Sequence, residues 1–274
     1  MNFADMHIHS KYSDGSLTPE EIVRTARGNG VGLISVCDHN VIEGSIETAR
    51  IAREAGLKYI LGVEIDAIFE GQDVHILCYN ADFANQPLIK SIRSARAVLD
   101  GMSAELLRRM IKDYPVLSEE DYAAFTHDST KGGWKMLQYL AARGVTGSLK
   151  EGFPYYDKYG VTYAEAGFES AEHTVALIHA AGGKAVLAHP GVNFSTESIS
   201  GFERQLEHIM DIGLDGVECH YVRHTPGITR KCIEICDRRG KMITAGSDCH
   251  GAFNNNQIGQ TRTSISDLRL DGLA

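Results

Sequence analysis

Paired cysteines are absent from this sequence. Its six cysteines include no CxxC pair, and in a chain of 274 residues they predict reduced core thiols of a cytoplasmic protein. The N-terminus has neither a basic segment nor a short apolar run, so we expect no secretory signal. No apolar run reaches the length needed to cross a membrane, and we therefore expect no membrane partner.

Positive charge is also scarce. Lys and Arg number 27 against 36 Asp and Glu, which gives a net charge of −9. A surface that coats nucleic acid is basic, so that class of protein is excluded, although a local cationic pocket is not. Length and a hydrophobic content of 43% suit one large α/β domain, or one domain that carries an insertion. Nothing in the sequence predicts an oligomeric state.

A His-x-His motif stands at the start of the chain. His7 and His9 lie on a predicted first strand, where residues i and i+2 point to the same face. Two neutral imidazoles side by side are good ligands for a divalent metal. Asp14 follows on the next loop and adds a carboxylate. The motif alone is more often two hydrogen-bonded histidines than a metal site, so the rest of the chain decides between these interpretations.

Strands and helices alternate along the first part of the chain. The apolar run 31–37 is typical of a parallel strand that is buried on both faces. A third strand is predicted over 58–63 and ends at Glu64, and a fourth over 73–79 carries His75. This alternation predicts an α/β fold.

The alternation breaks after the fourth strand. Residues 85–181 are mainly helical, and 163–181 are predicted as a single helix. Because this stretch is too long for one crossover helix, we predict a helical cap over 82–165. The cap is inserted into a main domain formed by 1–81 and 166–274.

Histidine or an acidic residue follows strand after strand. A strand predicted over 214–217, for example, ends in Glu218 and His220. In barrels of parallel strands the working groups lie at the C-terminal strand ends, on one face, and random placement would not favour these positions. The candidate metal ligands chosen in this way are His7, His9, Asp14, His39, Glu64, His75, His189, Asp248 and His250.

The size of this set predicts more than one ion. A catalytic ion takes about three protein ligands and leaves positions open. Nine candidate ligands therefore suit two or three divalent ions, especially if Glu64 bridges between them. Mixed imidazole and carboxylate ligands suit Mn, Fe or Zn, and affinity alone does not choose among these metals.

The motifs resemble those of the PHP (polymerase and histidinol phosphatase) phosphoesterases, and they occur in that family's order. The matching segments are Asp5–Ser10, Ser13–Gly15 with Thr18-Pro19, Asp38-His39, Gly62–Glu64, Val74–Leu77, Ala188–Pro190 and Gly246–His250. The resemblance implies a distorted seven-stranded β/α barrel with an inserted helical cap. It also implies a trinuclear metal centre at the C-terminal strand ends.

The resemblance further implies how the ligands divide among three ions. The first ion would take His7, His9, Glu64 and Asp248. The second would share Glu64 and add His75 and His189. The third would take Asp14, His39 and His250.

Two segments depart from the family's pattern. Many relatives carry Thr-Asp-His-Asp where this chain has Cys37-Asp38-His39-Asn40, but neither change removes a ligand. In the cap, nucleotide-handling relatives tend to carry an Arg followed by a His, where this chain has Lys131-Gly132-Gly133-Trp134-Lys135. The second departure weakens the prediction of a nucleotide substrate more than that of the reaction.

The expected reaction is hydrolysis of a phosphate monoester or cyclic diester by a metal-bridging hydroxide. Suitable substrates are small, such as a nucleoside bisphosphate or a ribose cyclic phosphate. Glu64 and Asp248 are the predicted catalytic ligands, and His220 is either the proton donor or a core histidine. Asp5 and Asp38 either orient imidazoles or hold loops by hydrogen bonds. The candidate substrate-binding residues are Arg223, Lys131, Lys135, Trp134 and His224.

Three other functions are compatible with parts of the sequence. One is 5′-3′ exonuclease action on short RNA, which is known among small-substrate relatives of this family. Another is C–N bond hydrolysis of the amidohydrolase type, which also begins with His-x-His but is disfavoured by Glu64, His75 and the final Asp-x-His. A third is a non-catalytic metal-binding module, which the intact ligand set disfavours.

Overall fold

Two β-sheets form the centre of the structure, a computed structural model that describes residues 2–273. The strands are β1 (Phe3–Ile8), β2 (Val31–Val36), β3 (Lys58–Tyr59), β4 (Gly62–Phe69), β5 (Gln72–Tyr79), β6 (Lys184–Leu187), β7 (Gly216–Tyr221) and β8 (Met242–Gly246). The first sheet has the order β1-β2-β3 and the second the order β4-β5-β6-β7-β8. The predicted α/β class is confirmed.

Short bridges connect the two sheets at both seams. Ile8 pairs with Cys249 beyond the end of β8, and His39 pairs with Glu64 of β4. Within residues 2–273, backbone hydrogen bonding between strands is not continuous from one sheet to the other. The seven-stranded barrel therefore stays a prediction.

A hairpin of β4 and β5 changes the predicted strand pattern. The predicted third strand does not end at Glu64, because β4 continues beyond it and turns through Glu70 and Gly71. Both turn residues have positive φ (50° and 81°), as in the two-residue turns that suit twisted hairpins. Glu64 and Asp66 consequently share one face of β4, and Asp66 lies directly opposite His75 on β5.

Eleven α-helices surround the sheets within residues 2–273. They are α1 (Pro19–Gly28), α2 (Glu43–Glu54), α3 (Gln86–Met110), α4 (Glu119–Ala124), α5 (Lys135–Ala142), α6 (Phe153–Lys158), α7 (Tyr163–Ala166), α8 (Ala171–Ala180), α9 (Pro190–Asn193), α10 (Ile199–Met210) and α11 (Pro226–Arg239). None of them is long and apolar enough to cross a membrane.

Capping residues explain where several helices begin and end. Thr18 and Glu21 form a capping box at the start of α1. The single helix predicted over 163–181 is wrong. Gly167 ends α7 in the left-handed conformation (φ 95°), and Ser170 then caps α8.

Four hydrophobic clusters stabilise the fold. Inward-facing side chains of both sheets, such as Met6, Leu33 and Leu77, form one cluster between them. Two further clusters pack α1 and α2 against the first sheet, and α8, α10 and α11 against the second. The fourth consists of residues between Ala95 and Phe168. This separate packing agrees with a cap, but the boundaries at 82 and 165 stay a prediction. All six cysteines are buried and free.

Gly216 provides a test of the contact between β7 and β8. A Cβ at this position would lie 2.5 Å from Met242 Cβ and 2.7 Å from its carbonyl oxygen. We expect Gly216→Ala to lower the free energy of unfolding by about 1–3 kcal/mol, since overpacking displaces the backbone. Gly101→Ala, at an exposed position of α3, meets nothing within 4 Å and should raise the free energy of unfolding by about 0.5–1 kcal/mol. Urea denaturation of both variants measures this, and shifts of the same sign would contradict the expectation.

Candidate metal centre

The nine predicted ligands lie together between the two sheets. Four groups of them have ligand atoms within 4.8 Å of one another, and together these groups contain every predicted ligand. The groups are His9 with Asp14, His39 and His250; His7 with Glu64 and His189; His7 with His9 and Asp248; and His39 with Glu64 and His75. The clustering follows from the topology, because the ends of β1, β2, β6 and β8 meet the face of the β4–β5 hairpin.

The end of β1 is tied to the end of β8 by backbone hydrogen bonds. The His9 amide donates to the Cys249 carbonyl at 2.9 Å, and the Asp248 amide donates to the His7 carbonyl at 2.8 Å. Asp248 adopts a positive φ of 52°, a strained conformation that places its Oδ1 3.2 Å from His9 Nε2. His189 also has positive φ (25°), so two of the nine predicted ligands occupy backbone conformations that L-residues rarely adopt.

Glu64 lies at the middle of the cluster and is fully buried. Its Oε1 is 2.9 Å from His75 Nδ1 and 3.1 Å from His189 Nε2. Its Oε2 is 3.1 Å from His7 Nε2 and 3.2 Å from His9 Nε2. The two oxygens therefore face different imidazoles, as a carboxylate that bridges two ions would.

The donor set fits divalent cations. His9 Nδ1 and Glu64 Oε2 are buried without a hydrogen-bond partner, although imidazole nitrogens lie near the glutamate oxygen. Leaving buried polar atoms unpaired is costly, and a cation would satisfy them. Burial disfavours the charged form of His39, yet Glu64 and Asp66 raise its pKa to about 10. Burial likewise opposes charge on His250, whose pKa Asp14 and Asp248 raise to about 9. The field of the carboxylates thus favours positive charge at this place.

Glu218 holds two of the predicted ligands from behind. Its carboxylate accepts from His7 Nδ1 at 3.1 Å and from the His189 backbone amide at 2.9 Å. A hydrogen bond to the far nitrogen of an imidazole sets which nitrogen is free to bind a metal. Glu218 lies inside β7, which runs past the predicted end at Val217.

Asp5 and Asp38 act on loops rather than on imidazole rings. Asp38 accepts from the amide and hydroxyl of Ser10 and from the hydroxyl of Ser13, so it fixes the loop that carries Asp14. Asp5 accepts from the backbone amides of Ser247 and Gly259. Burial raises the pKa of Asp5 to about 6. Of the two interpretations left open by the sequence, the loop interpretation describes both residues.

The structure does not bring His220 or His224 to the cluster. His220 lines a separate shallow cavity of about 230 Å³ with Thr229 and Gln260. A register shift follows Glu218 in the pairing with β8, and Tyr221, not His220, faces the predicted ligands. His224 uses both ring nitrogens on the backbone, one donating to the Cys219 carbonyl and the other accepting from Gly191. A proton-donor role for His220 and a substrate contact by His224 therefore have no geometric support.

Of the other predicted substrate residues, Arg223 and Trp134 lie against the cluster. Arg223 donates to the Tyr221 hydroxyl at 3.0 and 2.6 Å, and that hydroxyl donates to Asp248 at 2.9 Å. The Trp134 ring centroid is 5.8 Å from that of His39. Lys135 lies 4.7 Å from the ring centre of Tyr122, whereas Lys131 is exposed and pairs with nearby Asp128.

A cavity of about 1000 Å³ adjoins the cluster. Its wall combines loops of the two sheets with helices of the 95–168 cluster, and it includes Ser13, Asp73 and Trp134, which lie beside predicted ligands. The wall also carries cationic and aromatic side chains that the sequence did not single out. These are Lys11, Arg96, His127, Tyr122, Tyr156 and Tyr163.

A family model described as "PHP domain" matches residues 5–212, which is more than half of the chain. The chain belongs to the PHP-domain family. The resemblance found in the sequence is therefore confirmed.

Curated relatives and solved structures agree with this assignment. A 5′-3′ exoribonuclease of Haemophilus influenzae is 31% identical over 68% of each chain. A 3′,5′-nucleoside bisphosphate phosphatase of Chromobacterium violaceum is 30% identical over 90% of this PHP-domain chain and 86% of the relative. A Bifidobacterium adolescentis protein, proposed to be a metal-dependent phosphoesterase, has a crystal structure that superposes with a TM-score of 0.78. It is 26% identical and covers 96% of this chain and 93% of its own.

Metal content tests the grouping of Asp14, His39 and His250. We expect His39→Ala or Asp14→Ala to lower bound metal by about one ion per chain and to remove most turnover, since each takes one donor from that group. Elemental analysis after loading with Mn²⁺ and gel filtration measures this. His173→Ala, on the exposed side of α8, is the control and should keep the full metal content. Full metal content in both cluster variants would contradict a three-ion centre.

Proposed function

We propose that this protein hydrolyses phosphate monoesters or cyclic diesters of a small, nucleotide-like substrate. The coarser prediction, a metal-dependent phosphoesterase, is confirmed by its family and by the names of its relatives. The finer proposal rests on one observation. The predicted ligands adjoin a cavity of about 1000 Å³ with both aromatic and cationic side chains in its wall, a size that suits a small molecule.

In this proposal three ions bind as the family resemblance implies. His7, His9 and Asp248 would hold one ion, His75 and His189 a second, and Glu64 would bridge the two. The third would lie among Asp14, His39 and His250. Divalent ions at these places would polarise a phosphoryl oxygen and lower the pKa of a bound water. The distances from Glu64 to its imidazole neighbours, 2.9 to 3.2 Å, support the bridging role.

The chain's own residues would orient the substrate. Arg96 lies 5.1 Å from the ring centre of Trp134, and both line the cavity. A flat organic group could stack on Trp134 while Arg96 and Lys135 attract a second phosphate. Arg223 donates to the Tyr221 hydroxyl beside Asp248, and 61% of its side chain is exposed. It is a second candidate for a phosphate contact.

The barrel and the inserted cap belong to the same proposal. The bridges Ile8–Cys249 and His39–Glu64 support closure of the two sheets into a distorted barrel. The separate hydrophobic cluster between Ala95 and Phe168 supports a cap over about 82–165. Gly132 and Gly133 allow this region to approach the centre, because the Gly133 amide donates to the Asp14 carbonyl at 2.7 Å. The cap would thereby cover the face on which the substrate binds.

Short RNA is the second candidate substrate. The observation in its favour is the Haemophilus influenzae relative named as a 5′-3′ exoribonuclease. The cavity wall also contains Asp73, Asp100 and Asp157, which would repel a polyanion that extends along it. We therefore rank a small phosphate ester first.

A substrate screen separates these possibilities. Mn²⁺-loaded protein is incubated with a nucleoside 3′,5′-bisphosphate, a ribose cyclic phosphate and a short 5′-phosphorylated RNA, and product formation is followed by chromatography. We expect the small esters to be turned over at least tenfold faster, by kcat/KM, than the RNA. A reversed ratio would favour the exoribonuclease, and no turnover of any substrate would contradict the enzyme assignment.

Side-chain variants test the cavity wall. We expect Arg96→Ala and Trp134→Leu to raise the KM for the preferred substrate about tenfold, since each removes a contact worth about 1–2 kcal/mol. Their rates on p-nitrophenyl phosphate, which carries no second phosphate, should change much less. Arg24→Ala on the exposed side of α1 is the control. Equal losses on both substrates would show that the two side chains do not select the substrate.

A further inference from the structure

Asp66 is a buried carboxylate outside the predicted ligand set. Only 1% of it is exposed, and it lies on the same face of β4 as Glu64. A carboxylate buried this deeply needs partners, and no Lys or Arg lies within ion-pair distance of it among the described residues. Its partners are His39, His75 and Asn40.

Asp66 touches two predicted metal ligands on their outer sides. Its Oδ1 accepts from His39 Nδ1 at 3.2 Å and lies 3.2 Å from His75 Nε2. The opposite ring nitrogens of both histidines point to Glu64: His39 Nε2 is 3.4 Å and His75 Nδ1 is 2.9 Å from it. A proton held on the nitrogen next to Asp66 leaves the other nitrogen free to donate its lone pair to a metal. One oxygen atom thus accepts a hydrogen bond from His39 and places its charge beside the outer nitrogen of His75, which has no hydrogen-bond partner of its own.

Asn40 holds the second oxygen of Asp66. The Asn40 amide nitrogen donates to Asp66 Oδ2, and the Asn40 carbonyl accepts from the Asp66 backbone amide at 3.1 Å. The backbone amide can only donate, so it fixes which end of the Asn40 side chain faces the carboxylate. Asn40 is 2% exposed and has a φ of 53°, a region in which Asn is among the tolerated residues.

This contact explains why Asn rather than Asp suits position 40. An aspartate here would direct a second buried carboxylate at Asp66, with repulsion in place of a hydrogen bond. Asn has the same shape, keeps the acceptor for the backbone amide and adds the donor that Asp66 needs. The charge of Asp66 therefore requires a neutral hydrogen-bond donor at position 40.

We propose that Asn40 and Asp66 form a matched pair that positions His39 in the metal centre through a hydrogen bond and His75 through the nearby charge of Asp66. The pair deepens the proposed function and rests on it, because the two histidines matter here as metal ligands. Asp66 and Asn40 are positioning residues, since they act through the two imidazoles.

Exchanging the two side chains tests the pair. Asn40→Asp should weaken Mn²⁺ binding at least tenfold by repulsion, and Asp66→Asn should do so by setting two amide donors against each other. In the double variant Asn40→Asp/Asp66→Asn, the amide now at position 66 can donate to the carboxylate now at position 40 and still accept from His39. We expect the double variant to bind Mn²⁺ at least tenfold more tightly than the product of the single effects predicts.

Asp73 offers a matched control. Its Oδ1 is 3.4 Å from His75 Nε2, but it has no hydrogen bond to Asn40 among the described residues. Asp73→Asn combined with Asn40→Asp should therefore give the product of the two single effects. This control removes the same charge near the same histidine without restoring the exchanged hydrogen bond.

The readouts are the Mn²⁺ dissociation constant from calorimetric titration, the ions bound per chain, and the melting temperature of the metal-free proteins. If the two single effects on Mn²⁺ affinity simply multiply in the double variant Asn40→Asp/Asp66→Asn, the matched pair is overturned. It is also overturned if Asp73→Asn restores Mn²⁺ binding to the Asn40→Asp variant. Recovery of the melting temperature without recovery of binding would overturn the positioning role and leave only a structural one. Failure of the unaltered protein to bind Mn²⁺ would instead contradict the proposed metal centre.

Discussion

Burial of the Glu64 carboxylate among imidazoles is the interaction on which the rest of this structure depends. Burial opposes its charge, but His7, His39 and His75 hold its pKa well below the usual range. Each of those rings is in turn kept close to carboxylates of other elements, so removal of any one element leaves buried charge without a partner. The strands must therefore meet at this place, and the positive φ of Asp248 and His189 is tolerated there.

Two kinds of support surround the cluster. Glu218 and Asp66 contact the outer sides of imidazole rings, whereas Asp5 and Asp38 fix the loops that carry or flank Asp248 and Asp14. Ligand atoms held by such contacts need little rearrangement when an ion binds, which favours a specific geometry. The cavity lies on the more open side, where His39 and His75 keep 12% and 15% of their side chains exposed.

Much of the centre could be predicted from the sequence, because parallel strands bring their C-terminal ends to one face. His7, His9, His39, His189, Asp248 and His250 all follow this rule or the i, i+2 spacing. The hairpin is the exception, because the sequence predicts a strand that ends at Glu64, whereas β4 continues to Phe69 and its alternation places Asp66 on the same face as Glu64. The Glu70-Gly71 turn was the available signal. The sequence leaves two roles open for His220, and the register shift after Glu218, which a sequence does not reveal, turns Tyr221 instead toward the predicted ligands. Arg96 was missed because helical spacing does not reveal which helix faces a centre formed by distant strands.

The backbone tie between His7 and Asp248 has a consequence for biosynthesis. The first and last contributors to the cluster are separated by nearly the whole chain, so a growing chain on the ribosome carries the first histidines long before their partners exist. Domains form in the order of synthesis at about 5–20 residues per second, so His7 and His9 wait on the order of ten seconds or more for Asp248. During that interval they form only an incomplete, weak chelate. The finished set of donors exists only after translation of His250, which places metal acquisition at the end of folding rather than at its start.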